Sequence, residues 1–177
     1  MLLTDARRDA RVGADGDVVL LDEQDRSRWS AGAIREGLVL VEHALRDGPV
    51  GAYALQAAIA GVHARAARAA DTDWSEIAGL YALLAASHPS PVVALNHAVA
   101  IAMVDGPAEG LRLLDALAAD GALAGYHLLP AARADLLRRL GRRDAAAAAY
   151  RASLALAGND ADARFLRRRL AEVEAVH

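Results

Sequence analysis

Turn signals recur at short intervals along this chain, and the segments between them carry apolar residues at three-to-four spacing, a combination that a row of short helices satisfies and a sheet does not. Ile34, Leu38, Val41 and Leu45 form one stripe, on a helix that Ser27 or Ser30 can cap and that Gly48-Pro49 stops near Asp47. Leu55, Ala58, Ile59 and Val62 form a second stripe, between about Ala52 and Arg68, and the two helices read as a hairpin. Asp71-Thr72-Asp73-Trp74 starts a third helix, with Thr72 or Asp73 as cap, Glu76 at capping-box distance from Asp73, and Ile77, Leu80, Tyr81 and Leu84 facing inward. Ser90-Pro91 supplies a cap and a first-turn proline for the next, which carries Val92, Leu95, Val99 and Met103. Gly106-Pro107 turns the chain into a helix bearing Leu111, Leu114 and Leu117. Further helices are predicted near Tyr126 to Leu140, with Gly141 as terminator, and near Asp144 to Ala157, before a last one from Asn159 or Asp160 that carries Phe165, Leu166, Leu170 and Val173. The sum is eight or nine helices on short loops, an all-α array of antiparallel hairpins.

The first 25 residues fit this scheme least. Met1 to Ala10 reads as a helix end, with Leu2, Leu3 and Ala6 on one face and no capping residue ahead of it. Val12 to Gln24, with the turn signal Ala14-Asp15-Gly16-Asp17 and the β-prone run Val18 to Leu21, reads as an ordered connector or small hairpin.

Composition supports the helical reading. Apolar residues make up 55% of the chain and aromatic ones 4%, so the core is built from Ala, Leu and Val, which pack helices closely, and lacks the aromatic residues that strands favour. There is no cysteine, which removes disulfides, thiolate metal sites and a cysteine nucleophile and fits a cytoplasmic protein. No apolar run approaches the roughly 20 residues that span a bilayer, so no membrane association is expected. All twenty basic residues are arginine. Residues 1–125 hold ten of them against seventeen acids and residues 126–177 hold ten against six, an asymmetry that points to an oriented contact.

The segment from Pro130 to Gly158 resembles a tetratricopeptide unit, in which small residues sit where two helices cross and bulky ones fill the groove between them. Ala134 stands at the small and Leu137 at the bulky position of the first helix, Gly141 at the turn, and Ala146, Tyr150 and Ser153 at the small, aromatic and small positions of the second, with Gly158 where the family has proline. Thirty-six residues upstream, Asn96, Ala98, Ile101, Gly110, Leu114 and Leu117 repeat the pattern more loosely. The resemblance implies one helical-repeat domain over residues 1–177: a connector (1–25), N-terminal helices (26–88), two tetratricopeptide-like units (90–158) and a capping helix (159–177).

Several longer phrases resemble a more specific family: Leu21-Asp22-Glu23-Gln24-Asp25-Arg26-Ser27-Arg28-Trp29, Tyr53-Ala54-Leu55-Gln56-Ala57-Ala58-Ile59-Ala60, Thr72-Asp73-Trp74, Ser90-Pro91-Val92-Val93-Ala94-Leu95-Asn96 and Tyr126-His127-Leu128-Leu129-Pro130-Ala131-Ala132-Arg133. Together they are similar to the C-terminal extension of one group of bacterial extracytoplasmic-function sigma factors, over nearly the whole chain. At His97 such sequences tend to carry Arg. The resemblance implies a regulatory module whose partners are the sigma core domains of the same full-length chain and RNA polymerase, with DNA contacted only through those core domains. The alternative is a free-standing tetratricopeptide-like adaptor that grips a peptide or protein partner.

Two groups of residues are candidates for partner binding. Asp25, Arg26 and Trp29 join an acid, a base and a large ring ahead of the first long helix; either Trp29 plugs the apolar end of the stack while Asp25 and Arg26 pair with helix ends or each other, or the group docks the sigma core. Arg138, Arg139, Arg142 and Arg143, with Arg164, Arg167, Arg168 and Arg169, form either a basic patch for an acidic partner or duplex DNA or a solvated helix face. No aromatic residues interleave with them to stack single-stranded bases. Trp74 reads as a core residue. No His pair has the i, i+4 spacing of a helical metal site, no GxSxG elbow occurs, and Gly13, Gly16, Gly48 and Gly51 make no phosphate loop, so no metal, cofactor, small-molecule substrate or enzymatic activity is expected.

Overall fold

The computed structural model describes residues 1–13, 17–46 and 50–175. Among these residues are nine α-helices and no sheet, in agreement with the helical periodicity. The chain divides into two compact units, Met1–Pro89 and Ser90–His177.

The first unit holds α1 (Leu2–Asp5), α2 (Ala31–Arg46), α3 (Ala52–Arg65) and α4 (Trp74–Ser87). α1 packs on α2 and α3, α2 on α3, and α3 on α4. A helix of one turn has no stability of its own, so α1 persists only through what it buries. Leu3 supplies that anchor. A Cβ added to Gly37 of α2 would meet Leu3 Cγ and Cδ2 at 2.7 Å, and one added to Gly61 of α3 would lie 3.7 Å from Leu3 Cδ1 and 3.1 Å from Leu38 Cδ2. Two positions without side chains thus form the notch that seats Leu3. The Ser30 N–H donates to the Ala6 carbonyl (2.8 Å), tying the end of α1 to the start of α2.

Between α1 and α2 the chain makes a 3-10 turn at Arg8–Ala10, one antiparallel bridge between Val12 and Val18, and a second 3-10 turn at Arg26–Arg28. The β-prone run Val18 to Leu21 forms no strand beyond that bridge. The turn signal at 14–16 and the stop at Gly48-Pro49 lie outside the described residues. Of the two candidate caps for α2 the structure selects Ser30, whose hydroxyl accepts from the Ala33 N–H (3.3 Å). Ile34, Leu38 and Val41 are half-buried, but Leu45, expected on the inner stripe, is exposed. α1 is too short to cover more of α2 than the turn around Gly37, which leaves the last turn at the surface. α4 begins as predicted, with the Asp73 carboxylate accepting from the Glu76 N–H (2.9 Å), and buries Ile77, Ala78 and Leu84.

The second unit holds α5 (Pro91–Val104), α6 (Pro107–Ala119), α7 (Leu128–Arg139), α8 (Arg143–Ala155) and α9 (Asp160–Glu174), each packed on the next. Ser90 caps α5 by accepting from the Val93 N–H (3.2 Å), and Asn159 caps α9 by accepting from the Asp162 N–H (2.9 Å). α5 and α6 approach so closely that a Cβ on Gly110 would come 2.3 Å from Ala102 Cβ and 2.9 Å from the Ala98 carbonyl oxygen. Ala146 occupies the equivalent position of the next hairpin, with no exposed surface, opposite buried Ala134. Leu114 and Tyr150 then fill the space beside each crossing, and both are fully buried. α7 ends in a reversal that needs a left-handed residue: Gly141 has φ +72°, its N–H donates to Arg138 O (3.0 Å) and the Arg142 N–H to Leu137 O (2.9 Å).

One stripe of this unit differs from expectation. Val92 and Met103 are exposed, while Leu95, Ala98, Ala100 and Ala102 form the buried positions of α5. Because α5 is apolar almost all round, spacing alone does not choose its inner face; contact at Gly110 does, and it selects the small residues.

Candidate functional site

The Asp25–Trp29 cluster is organised around Arg26. The Asp25 carboxylate accepts from the Ser27 N–H (3.0 Å) and hydroxyl (2.7 Å), fixing the 3-10 turn, and these two bonds hold its pKa below the usual carboxylate range. The turn aims Arg26 at the C-terminal end of α3, where one guanidinium nitrogen donates to both the His63 and the Ala66 carbonyls, each at 2.7 Å. These carbonyls have no continuing helix to bond, so a cation there answers both the unpaired acceptors and the helix dipole. The same guanidinium lies 4.5 Å from the centre of the Trp29 ring, which is 7% exposed. Asp25 and Arg26 therefore do not pair with each other; the acid serves its own turn and the base serves α3.

Around this cluster the structure gathers residues that no linear pattern marks. His63, at the end of α3, meets Trp74 edge-on with ring centres 5.2 Å apart. Burial, then the charges of Arg7 and Arg26, push its pKa down to about 4, so the imidazole is neutral near pH 7. Arg7 is half-buried, and its own pKa is lowered by burial and by Arg11 and Arg26. Among the described residues, three buried side-chain atoms lack a hydrogen-bond partner, and all lie in this unit: Gln24 Oε1, Trp29 Nε1 and His63 Nδ1. Gln24 Nε2 is used, donating to Val19 O (3.1 Å). Arg7 and His63 escape sequence reading because the charge of Arg7 reaches the His63 ring only once the N-terminal segment and α3 have packed.

The arginines of the second unit are distributed differently from a uniform patch. Arg138 donates to Asp135 (2.7 Å) and Arg169 reaches the same carboxylate (3.3 Å), with a second bond from Arg169 to Glu172 (2.5 Å). Burial opposes the charge of Arg169, but buried Tyr150 together with Glu172 and Asp135 outweighs it and raises its pKa. Arg139 points its guanidinium at Met103 Sδ (3.3 Å), and Arg142 and Arg143 lie exposed at the α7–α8 turn. Arg168 stacks over Phe165 at 5.6 Å. The charge asymmetry softens once the chain is divided where the structure divides it, with nine Arg against thirteen acids in residues 1–89 and eleven against ten in residues 90–177. Among the described residues no group of three or more His, Asp or Glu side chains is placed to hold a metal ion, and no helix is long and apolar enough to cross a membrane.

Residues 1–45 match a family described as "Family of unknown function (DUF6596)". The matched segment runs from α1 through the connector to the last turn of α2 and contains Arg7, Gln24, Asp25, Arg26 and Trp29, but not His63 or Trp74. An uncharacterized protein of Rhizobium meliloti (strain 1021) is 43% identical over 170 residues, which are 96% of this chain and 40% of that protein. The chain thus spans about two fifths of the length of the relative it matches. No solved structure matches it.

Proposed function

We propose that this chain is a regulatory protein-interaction domain of an extracytoplasmic-function sigma factor, acting on promoter-specific initiation by contact with the sigma core or RNA polymerase. The observation that carries the scaffold half of this reading is the pair of equivalent helix crossings thirty-six residues apart, Ala98 with Gly110 and Ala134 with Ala146, each backed by a fully buried large side chain. A stack of hairpins of this kind presents an extended row of side chains for a partner to grip. The sigma half rests on the phrases around Trp29, Gln56, Trp74 and Asn96, and the greater length of the Rhizobium relative leaves room in that protein for further domains.

The first check is the reading frame upstream of Met1, which this reading expects to encode the sigma core domains. The second is a pull-down of this chain against those core domains expressed separately, with run-off transcription measured alongside. Retention of the core and a severalfold change in transcript are expected. No retention under conditions where the full-length protein is active would overturn the proposal.

A further inference from the structure

The surroundings of Arg26 hold more positive charge and more unused hydrogen-bonding capacity than packing requires. Arg7 is half-buried and, among the described residues, forms no ion pair; the charges it feels most are Arg11 and Arg26. Arg26 spends one nitrogen on two carbonyls and feels the charge of Asp71, but Asp71 is already gripped by Arg68 through two bonds of 2.9 and 2.8 Å. Trp29 lies under the Arg26 guanidinium, and its indole N–H, on the rim of that same ring, is buried with no acceptor. His63, which supplies one of the carbonyls that Arg26 holds, has a buried ring nitrogen that is also unpartnered.

Partly buried cations that repel one another raise the energy of the fold, and a buried N–H with no acceptor adds to it. A single group answers both: an anion with oxygen acceptors. Guanidinium pairs bind carboxylate and phosphate strongly because charge and hydrogen-bond geometry act together. A metal cation is excluded by the same charges. From this geometry we infer that Arg7, Arg26 and the Trp29 indole N–H form an oxoanion site in the N-terminal unit, which takes a carboxylate or a phosphate group. The site is independent of the sigma reading, since it is built from residues of this chain and asks only for an anion. The neutral state of His63 belongs to the anion-free site, and a bound anion raises the affinity of that ring for its proton.

The test uses the whole chain and two probes, inorganic phosphate and a short peptide bearing two adjacent glutamates, each titrated at constant ionic strength with chloride as the balancing ion. The readouts are the Trp29 indole N–H resonance and the His63 imidazole titration by NMR. Saturable movement of the Trp29 N–H, with a His63 pKa that rises from about 4 as the probe binds, is expected. In Arg7→Gln the affinity should fall roughly tenfold or more, and Trp29→Phe, which keeps the ring and removes the N–H, should weaken it by a smaller factor. Saturation by phosphate identifies a free small anion as sufficient; saturation by the peptide alone identifies an acidic polypeptide as the source, and either supports the site. No movement of either resonance with both probes at about 50 mM overturns it, as does unchanged affinity in a folded Arg7→Gln protein. Should Arg7→Gln fail to fold, the Trp29→Phe comparison decides in its place.

Discussion

The two units solve the same packing problem by different means. In residues 90–177 helices meet through alanine and glycine, the large side chains beside each crossing are fully buried, and most polar contacts lie at caps and on the surface. In residues 1–89 α3 and α4 bury an apolar core that includes Val62, Ile77 and Leu84, but the long helix α2 buries a single residue, Gly37, and the elements ahead of α3 are tied by particular contacts: Leu3 in its notch, Ser30 to Ala6, and Arg26 across to the end of α3. A unit of the first kind loses stability in proportion to the volume removed. The part of the first unit ahead of α3 depends on a few contacts, each of which fails as a whole.

The composition supplies a way to separate the two in one experiment, because both tryptophans, Trp29 and Trp74, lie in the first unit. Tryptophan fluorescence therefore reports the N-terminal unit, while helical circular dichroism reports both. The largest effect is expected from Tyr150→Ala, which empties a fully buried site and should cost about 3–5 kcal/mol. Its urea transition should move to lower denaturant in circular dichroism and less in tryptophan fluorescence. Equal movement in both would mean that the units unfold as one, which would break the comparison.

Protonation of His63 comes next. Its folded pKa lies near 4 and its unfolded pKa near 6.5, so the unfolded chain binds more protons between those values. The stability linked to this group is complete above pH 6.5 and is lost as pH falls toward 4, by about 1–3 kcal/mol after allowance for partial exposure. Fluorescence-detected urea midpoints at pH 7 and pH 4.5 should differ for the wild-type protein and differ less for His63→Gln. Cap removal should be smaller and alike in the two units: Asp73→Ala and Asn159→Ala are each expected to cost about 1 kcal/mol. At the lower limit, Arg112→Ala removes a surface pair with Glu109 and should leave the urea midpoint unchanged within error. Hydrogen exchange sharpens the contrast further, since amides of α2 should exchange through local opening and those of α7 and α8 only with unfolding of their unit.

Much of this fold is legible in the sequence where one residue acts on its own neighbours. Ser90, Asp73 and Asn159 cap the helices they precede, and Gly141 ends α7, because capping is decided within a few positions. Ala134, Ala146, Tyr150 and Ser153 are buried where the repeat pattern places them. The sequence misleads where the neighbour decides. Val92 and Met103 share a helical stripe with Leu95 but face away from α6, and Leu45 continues the stripe of α2 beyond the reach of α1. The candidate site divides along the same line. Arg26 and Trp29 stand out locally through their unusual pairing of charge and ring, whereas Arg7 and His63 become part of the site only through the packing of α1 and α3, and nothing in their immediate sequence marks them.

The seat of Leu3 has a mechanical consequence. A load applied along the chain at Met1 reaches, two residues on, one side chain wedged between two helices, and from there it is shared by α2 and α3. Up to the point where Leu3 slips, displacement at the first residue is passed to both helices; beyond it, the load falls on what else holds α1, the Ser30–Ala6 bond, the bond from Arg11 to Thr4 O (2.9 Å) and buried Ala6. The first turn of this protein therefore behaves as a latch with a threshold, and the width of the glycine notch sets where that threshold lies.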